Sequence, residues 1–159
     1  TRKGRPLDPF SGRDMEGGCG EDNLVASYWA PEARKQLGYR DSHLIGAGFS
    51  TVPMNRAALV YHLFEPEMSR TSEKLYFSAY VAGVHKGDSF RFRIFAPGKT
   101  EPFFDQVWTA PKDRLIDIIS ASRSRPGGGV WPGGLYRGKL TQIRQGREIL
   151  SAEAQVRMK

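Results

Sequence analysis

The sequence predicts a mostly β protein, an antiparallel immunoglobulin-like β-sandwich preceded by an irregular arm with a short helix. From about Leu44 onward, apolar residues recur with a period of two in short segments separated by Gly, Pro and Asp turns. The clearest alternation runs from residue 88 to 96 and places Phe90, Phe92 and Ile94 on one face, which should be core. Because each strand offers one apolar face that another sheet can cover, we expect two packed sheets.

The arm is assigned to residues 1–43 and the sandwich to residues 44–159. Residues 1 to about 24 are rich in Gly, Arg and acidic groups and contain few apolar anchors. Further along, Pro31 suits the first turn of a helix and Gly38 suits its end. The spacing therefore predicts a short helix over residues 31–37.

The strands of the sandwich are read from alternation and from the turns between segments. His85 to Asp88 and Gln145-Gly146 are typical of hairpin turns, and Pro97-Gly98 ends a strand. Residues 113–120 fit either a strand or one or two helical turns, because their periodicity does not separate the two. The predicted strands cover residues 57–64, 74–81, 88–96, 104–110, 115–122, 135–144 and 148–158.

Composition fits one domain with a leading arm. The chain has 159 residues, of which 39% are apolar, enough to bury a core. It has no apolar run of about 18 residues and no signal-peptide stretch, so we expect a soluble fragment without membrane insertion, its export signal removed or upstream. The net charge of +7 could suit an acidic polymer, nucleic acid or lipid, but the arginines are scattered. A solvated, ion-paired surface is the preferred interpretation, and no nucleic-acid partner is expected.

No catalytic, cofactor-binding or metal-ligating set is predicted in this chain. His43, His62 and His85 do not form the short spacings that bring two metal ligands together. Ser50 lacks the second glycine of a nucleophile elbow, and Cys19 has no histidine nearby. Sites assembled from distant residues leave no such spacing, so an enzyme of that kind stays a third, weaker alternative.

The best candidate for a binding surface is the glycine-rich loop around Trp131. Arginines precede it, and its bare backbone would allow positive φ. The competing interpretation is that Trp131 folds back to cap the core, since tryptophan is highly buried on average. Adjacent strand residues face opposite sides, so one of Phe103 and Phe104 should point outward. The candidate surface comprises Arg123, Arg125, Trp131, Phe103 and Trp108.

The first residues resemble one known family. The segment from Arg2 through Leu7-Asp-Pro-Phe10 to Gly12 resembles the exit of the last metal-binding strand in lysostaphin-like (LytM-type) zinc peptidoglycan endopeptidases. The resemblance extends through Gly18-Cys-Gly20, the region of Trp29 and Tyr39, and residues 46–50 to residues 131–136. In that family a His, an Asp and an H-x-H strand carry zinc and catalysis, and here they would precede Thr1.

The resemblance implies a role for the chain. It would be the non-catalytic C-terminal accessory module of an exported, periplasmic or extracellular zinc endopeptidase acting on peptidoglycan cross-links. It would hold no cofactor itself, zinc being in the parent protein. Its partners would be the upstream catalytic domain or chain and possibly peptidoglycan or a periplasmic protein. Cys19 would form an inter-segment disulfide with that domain. The alternative is a self-standing periplasmic or extracellular β-sandwich binding or adhesion module.

Overall fold

The computed structural model describes residues 12, 28–37, 41–55, 57–58, 61, 64–127 and 129–159. These residues are mostly β, as predicted, with one short helix, also as predicted. The elements are α1 (Pro31–Leu37), β1 (His43–Ser50), β2 (Glu67–Met68), β3 (Lys74–Val84), β4 (Ser89–Phe95), β5 (Pro102–Thr109), β6 (Arg114–Ser124), β7 (Gly134–Arg144) and β8 (Arg147–Met158).

The strands form two sheets. A three-stranded sheet has the order β1-β3-β6, and a five-stranded sheet has the order β2-β8-β7-β4-β5. The pairings are antiparallel except for the two-residue strand β2, which pairs parallel to β8. The sequence did not predict β2, because a strand of two residues is too short to show an alternating apolar pattern.

The core lies between the two sheets. Phe49 of β1 stacks on Phe77 of β3 with ring centroids 4.9 Å apart, and Phe77 meets Phe92 of β4 edge-on at 5.8 Å. Side chains of the two sheets therefore interlock. Phe90, Phe92 and Ile94 are fully buried, which confirms the face assigned from their alternation. Arg91 lies on the opposite face and donates to the Asp105 carboxylate.

The strand predicted for residues 57–64 is wrong for the residues that the structure describes there. The Asn55 side chain accepts a hydrogen bond from Ala58 N at 2.8 Å, and Tyr61 N donates to Ala57 O at 3.2 Å. This is a capped helical turn, which asparagine favours because its side chain satisfies an otherwise free backbone N–H. Phe64 then packs with a second apolar cluster that includes Met54.

That second cluster covers the outer face of the three-stranded sheet. Tyr80 of β3 and Ile118 of β6 are cross-strand neighbours on this face, and both belong to the cluster. Of the ambiguous residues 113–120, those from Arg114 onward belong to a strand, because β6 pairs with β3 along most of its length. Within the described residues, no helix is long and apolar enough to cross a membrane.

Candidate functional site

A buried carboxylate lies where the β3–β4 hairpin meets the end of β7. Asp88 is 1% exposed, and its two oxygens accept four hydrogen bonds. Arg144 Nε donates to Oδ1 at 2.8 Å, and Arg144 Nη2 donates to Oδ2 at 2.8 Å. The backbone N of His85 (2.9 Å) and Gln142 Nε2 (2.7 Å) also donate to Oδ2. A buried carboxylate needs such partners, because leaving one ionised and unpaired costs several kcal/mol.

The surroundings of Asp88 set its charge. Burial alone would raise the pKa of this carboxyl, but the hydrogen bonds from Arg144, the His85 backbone and Gln142 outweigh burial and hold the pKa below its ordinary value of 3.8. Asp88 is therefore ionised at neutral pH and forms a buried ion pair with Arg144. Because this ion pair holds the Arg144 guanidinium in one position, it can also hold other residues that hydrogen-bond to the guanidinium.

Arg144 also holds the chain that enters β1. Its Nη1 donates to Asp41 Oδ2, and its Nη2 donates to Ser42 Oγ at 2.8 Å and to Gly83 O at 2.9 Å. His85 Nε2 donates to the other Asp41 oxygen at 2.9 Å. We call these seven residues the junction network: Asp41, Ser42, Gly83, His85, Asp88, Gln142 and Arg144.

Gly83 makes room for this arrangement. Its φ is +72°, and a Cβ built on it would lie 1.8 Å from the carbonyl oxygen of Asp41. A side chain at position 83 would therefore both strain the backbone and displace Asp41. An isolated glycine inside the apolar run from Val81 to Val84 indicates a close backbone approach, so the sequence carried this signal.

The opposite end of β7 is closed by an aromatic cluster, Phe103, Trp131 and Tyr136. Ring centroids lie 6.4 Å apart for Phe103 and Trp131, 5.9 Å for Phe103 and Tyr136, and 6.3 Å for Trp131 and Tyr136. Trp131 Nε1 donates to Ser72 O at 2.8 Å. Burial raises the pKa of the Tyr136 hydroxyl, and nearby Arg70 offsets part of that rise.

Trp131 is buried, being 2% exposed. Of the two interpretations of its loop, the structure therefore shows the one in which this indole caps the core. Its backbone is fixed as well, since Trp131 N donates to Arg70 O at 2.9 Å and Arg70 Nε donates to Trp131 O at 2.8 Å. In this conformation the ring presents almost no surface to a partner.

The expectation that one of Phe103 and Phe104 points outward is confirmed by their exposure. Ile94 pairs in register with Phe104, but Phe95 pairs with Pro102, so Phe103 is the extra residue of a β-bulge. Phe104 packs against the core, and Phe103, 39% exposed, contacts the aromatic cluster.

The other candidate residues are spread over the molecule. Arg123 is exposed near the end of β6, and Arg125 is half-buried, its backbone N donating to Glu73 O at 2.8 Å. Trp108 packs on Phe90, with ring centroids 5.7 Å apart, at the end of β5 away from Phe103. Cys19 and His62 lie outside the described residues.

The histidines and carboxylates of the described residues do not assemble into a metal site. Among these residues, no group of three or more His, Cys, Asp or Glu side chains is placed to hold a metal ion. His43 is exposed at the start of β1, whereas His85 is held by Asp41 in the junction network. Apart from the buried Gln142 Oε1, which has no hydrogen-bond partner among the described residues, the charged groups of the network are paired, an arrangement that anchors chain segments.

The chain has structural likenesses among solved proteins but no match among family models or curated proteins. The chain is similar to the solved structure of Pseudomonas fluorescens alkylpurine DNA glycosylase AlkC bound to DNA containing an abasic site analog, with a TM-score of 0.43 and 8% sequence identity. That alignment covers 80% of this chain and 33% of the glycosylase chain, so this chain spans about a third of its length.

Proposed function

We propose that this chain is a non-catalytic accessory module of an exported zinc endopeptidase that acts on peptidoglycan cross-links, and that it positions the catalytic domain. In this proposal the two sheets are an immunoglobulin-like sandwich, the location is periplasmic or extracellular, and zinc belongs to the preceding domain. The resemblance of residues 2–12 to the family supports the identity of the parent enzyme. The junction network is the observation that supports the positioning role.

The network anchors the point at which the chain enters the two sheets. The Asp41 carboxylate is bound by Arg144 and His85, and the Ser42 hydroxyl donates to Gly83 O. In a flexible linker, a carboxylate and a hydroxyl at these positions would hydrogen-bond to water and would have no fixed protein partner. Here three separate elements, the end of β3, the β3–β4 hairpin and the end of β7, bind two consecutive residues.

Fixing this entry point holds residues 41 and 42 in one arrangement relative to the two sheets. Catalysis on a large, immobile substrate depends on the orientation of the reacting groups, and displacements of about 1 Å can lower rates by about a hundredfold. An accessory module that anchors the connecting chain therefore contributes to catalysis without contacting the scissile bond. The arrangement matches the role implied by the resemblance.

The test uses two glycine variants in the full-length protein. Gly83 and Gly98 have nearly the same φ, +72° and +69°, so alanine strains both backbones alike. Only at position 83 would the new Cβ collide with Asp41 O, because nothing lies within 4 Å of a Cβ at position 98. We expect Gly83→Ala to accelerate hydrogen exchange at residues 41–42 and to slow peptidoglycan hydrolysis by about tenfold or more. Gly98→Ala should do neither.

Equal hydrolysis by the two variants, with faster exchange in Gly83→Ala, would contradict the positioning role. The identity of the parent enzyme has its own test, because the proposal requires the family's His, Asp and H-x-H strand to be encoded before Thr1. An upstream reading frame without them would instead favour the self-standing binding module.

A further inference from the structure

The outer face of the five-stranded sheet carries cations in close ion pairs and arginines that lie farther from the carboxylates. Three cations are within 4.0 Å of carboxylates, in the pairs Arg91–Asp105, Lys139–Glu153 and Lys159–Glu67. Three arginines of this face have no carboxylate that close among the described residues, although Arg93 is opposite Asp105 and Arg157 is opposite Glu67 in the register. We call them the arginine band: Arg93 on β4, Arg137 on β7 and Arg157 on β8.

The register places the band on a diagonal. Arg93 is opposite Lys139, and Arg137 lies two residues before Lys139 on β7. Arg137 is opposite Gln155, and Arg157 lies two residues after Gln155 on β8. From each arginine to the next, the path moves to the neighbouring strand and shifts by two residues. The Cα atoms of successive arginines are therefore about 8 Å apart, and the band spans roughly 16 Å.

The central arginine is already held in place. The guanidinium carbon of Arg137 lies 5.1 Å from the centre of the Phe95 ring, and Arg137 Nη2 donates to Lys99 O at 3.4 Å. A cation over an aromatic face is attracted to it, so this side chain loses less rotamer freedom when an anion binds. The middle of the band is thus partly preorganised.

The centre of the same face has unused hydrogen-bonding capacity. Arg93 Nε has no hydrogen-bond partner among the described residues, and neither has the hydroxyl of Thr141, a residue only 5% exposed. Thr141 follows Lys139 by two residues on β7 and is opposite Arg91 on β4. Buried polar groups are normally paired, so two such atoms on one face indicate groups that a ligand can engage once neighbouring side chains shift.

We propose that the arginine band binds a linear polymer with spaced carboxylates, of which peptidoglycan is the one that follows from the proposed function. A compact anion would reach one or two of the arginines, whereas an extended chain can reach all three. The carboxylates of Asp105, Glu153 and Glu67 flank the band and would repel a densely charged phosphate polymer more than a sparse polycarboxylate. Arginine suits carboxylates because it can donate two parallel hydrogen bonds, as Arg91 does to Asp105 at 2.9 and 2.6 Å.

The experiment measures binding of the chain to purified peptidoglycan sacculi, to the same sacculi after carboxyl amidation, to poly-L-glutamate and to polyphosphate. The test variant is Arg93→Gln/Arg137→Gln/Arg157→Gln. The matched control removes three cations near the β6–β7 loop, in the variant Lys74→Gln/Arg123→Gln/Arg125→Gln. Thermal unfolding checks that both variants fold.

We expect the test variant to bind sacculi and poly-L-glutamate about tenfold or more weakly, and the control to bind like the unaltered chain. Amidation of the sacculi should remove the same binding. An equal or larger loss in the control variant would overturn the proposal and favour the loop surface. Tighter binding of polyphosphate than of either carboxylate polymer would overturn the choice of occupant.

The proposed function can fail separately from the band. Arginine-dependent binding of poly-L-glutamate without binding of sacculi would support the band and contradict a peptidoglycan role. Sacculus binding that does not depend on these arginines would contradict the band and leave the peptidoglycan role standing.

Discussion

The two ends of β7 are closed by opposite kinds of chemistry. At its first residues the aromatic cluster fills the space between the sheets with rings, and at its last residues the junction network fills it with charges and hydrogen bonds. Apolar contacts contribute in proportion to buried area and tolerate small displacements. A buried ion pair stabilises only while every partner is present. The aromatic end is therefore suited to closing the core, and the polar end is suited to holding one defined arrangement of chain segments.

The largest effect is expected from breaking the polar end. Arg144→Leu leaves the Asp88 carboxylate buried without its cation, which should lower the free energy of unfolding by about 3–5 kcal/mol. Adding Asp88→Asn removes the uncompensated charge, so the double variant should be more stable than Arg144→Leu alone. Urea denaturation of the two single variants and the double variant gives the coupling energy. Additive losses would show that the two side chains do not act as a pair.

A smaller loss is expected at the aromatic end. Trp131→Phe keeps a ring in the core but removes the indole N–H that donates to Ser72 O and leaves a gap beside Tyr136. The expected loss is about 1–3 kcal/mol. The same denaturation experiment measures it, with Val130→Ala, a change at an exposed neighbour, as the control. A loss no larger than that of the control would mean that the indole adds little to closing the core.

The smallest expected effect is a pH dependence of stability, which only the polar end should show. Because the pKa of Asp88 is lower in the folded protein than its ordinary value of 3.8, its ionised form stabilises the fold fully above about pH 4. That contribution is lost as the pH falls through the folded-state pKa. We therefore expect the stability difference between the unaltered protein and Asp88→Asn to shrink as the pH is lowered below about 4. The difference for Trp131→Phe should stay constant over the same range.

The sequence predicted the parts of the fold that depend on local periodicity. Phe90, Phe92 and Ile94 alternate strictly, and their burial follows from that spacing alone. The helix from Pro31 to Leu37 was also predictable, because proline marks its start. The strand expected at residues 57–64 was wrong because the Asn55 side chain accepts a hydrogen bond from Ala58 N and caps a helical turn there.

The junction network could not be predicted in the same way. Asp41, Asp88 and Arg144 lie far apart in the sequence, and a lone charged residue in a turn or at a strand end is ordinarily solvated. Only the fold brings the three side chains together. Local signals existed only for the turn at His85 to Asp88 and for the close backbone approach at Gly83. The irregular register at Phe103 is of the same kind, since nothing in the local apolar pattern marks an extra residue in β5.

Asp41, Asp88 and Arg144 of the junction network are far apart in the sequence, so they are made at different times during translation. Arg144 follows Asp41 by 103 residues and Asp88 by 56, so it leaves the ribosome long after both of its carboxylate partners. Until the β7–β8 hairpin is made, the Asp88 carboxylate lacks its cation and the three-stranded sheet lacks most of its packing partner. Residues 41 and 42 therefore acquire their anchoring contacts late in synthesis, after β1, β3 and β6 have all been made.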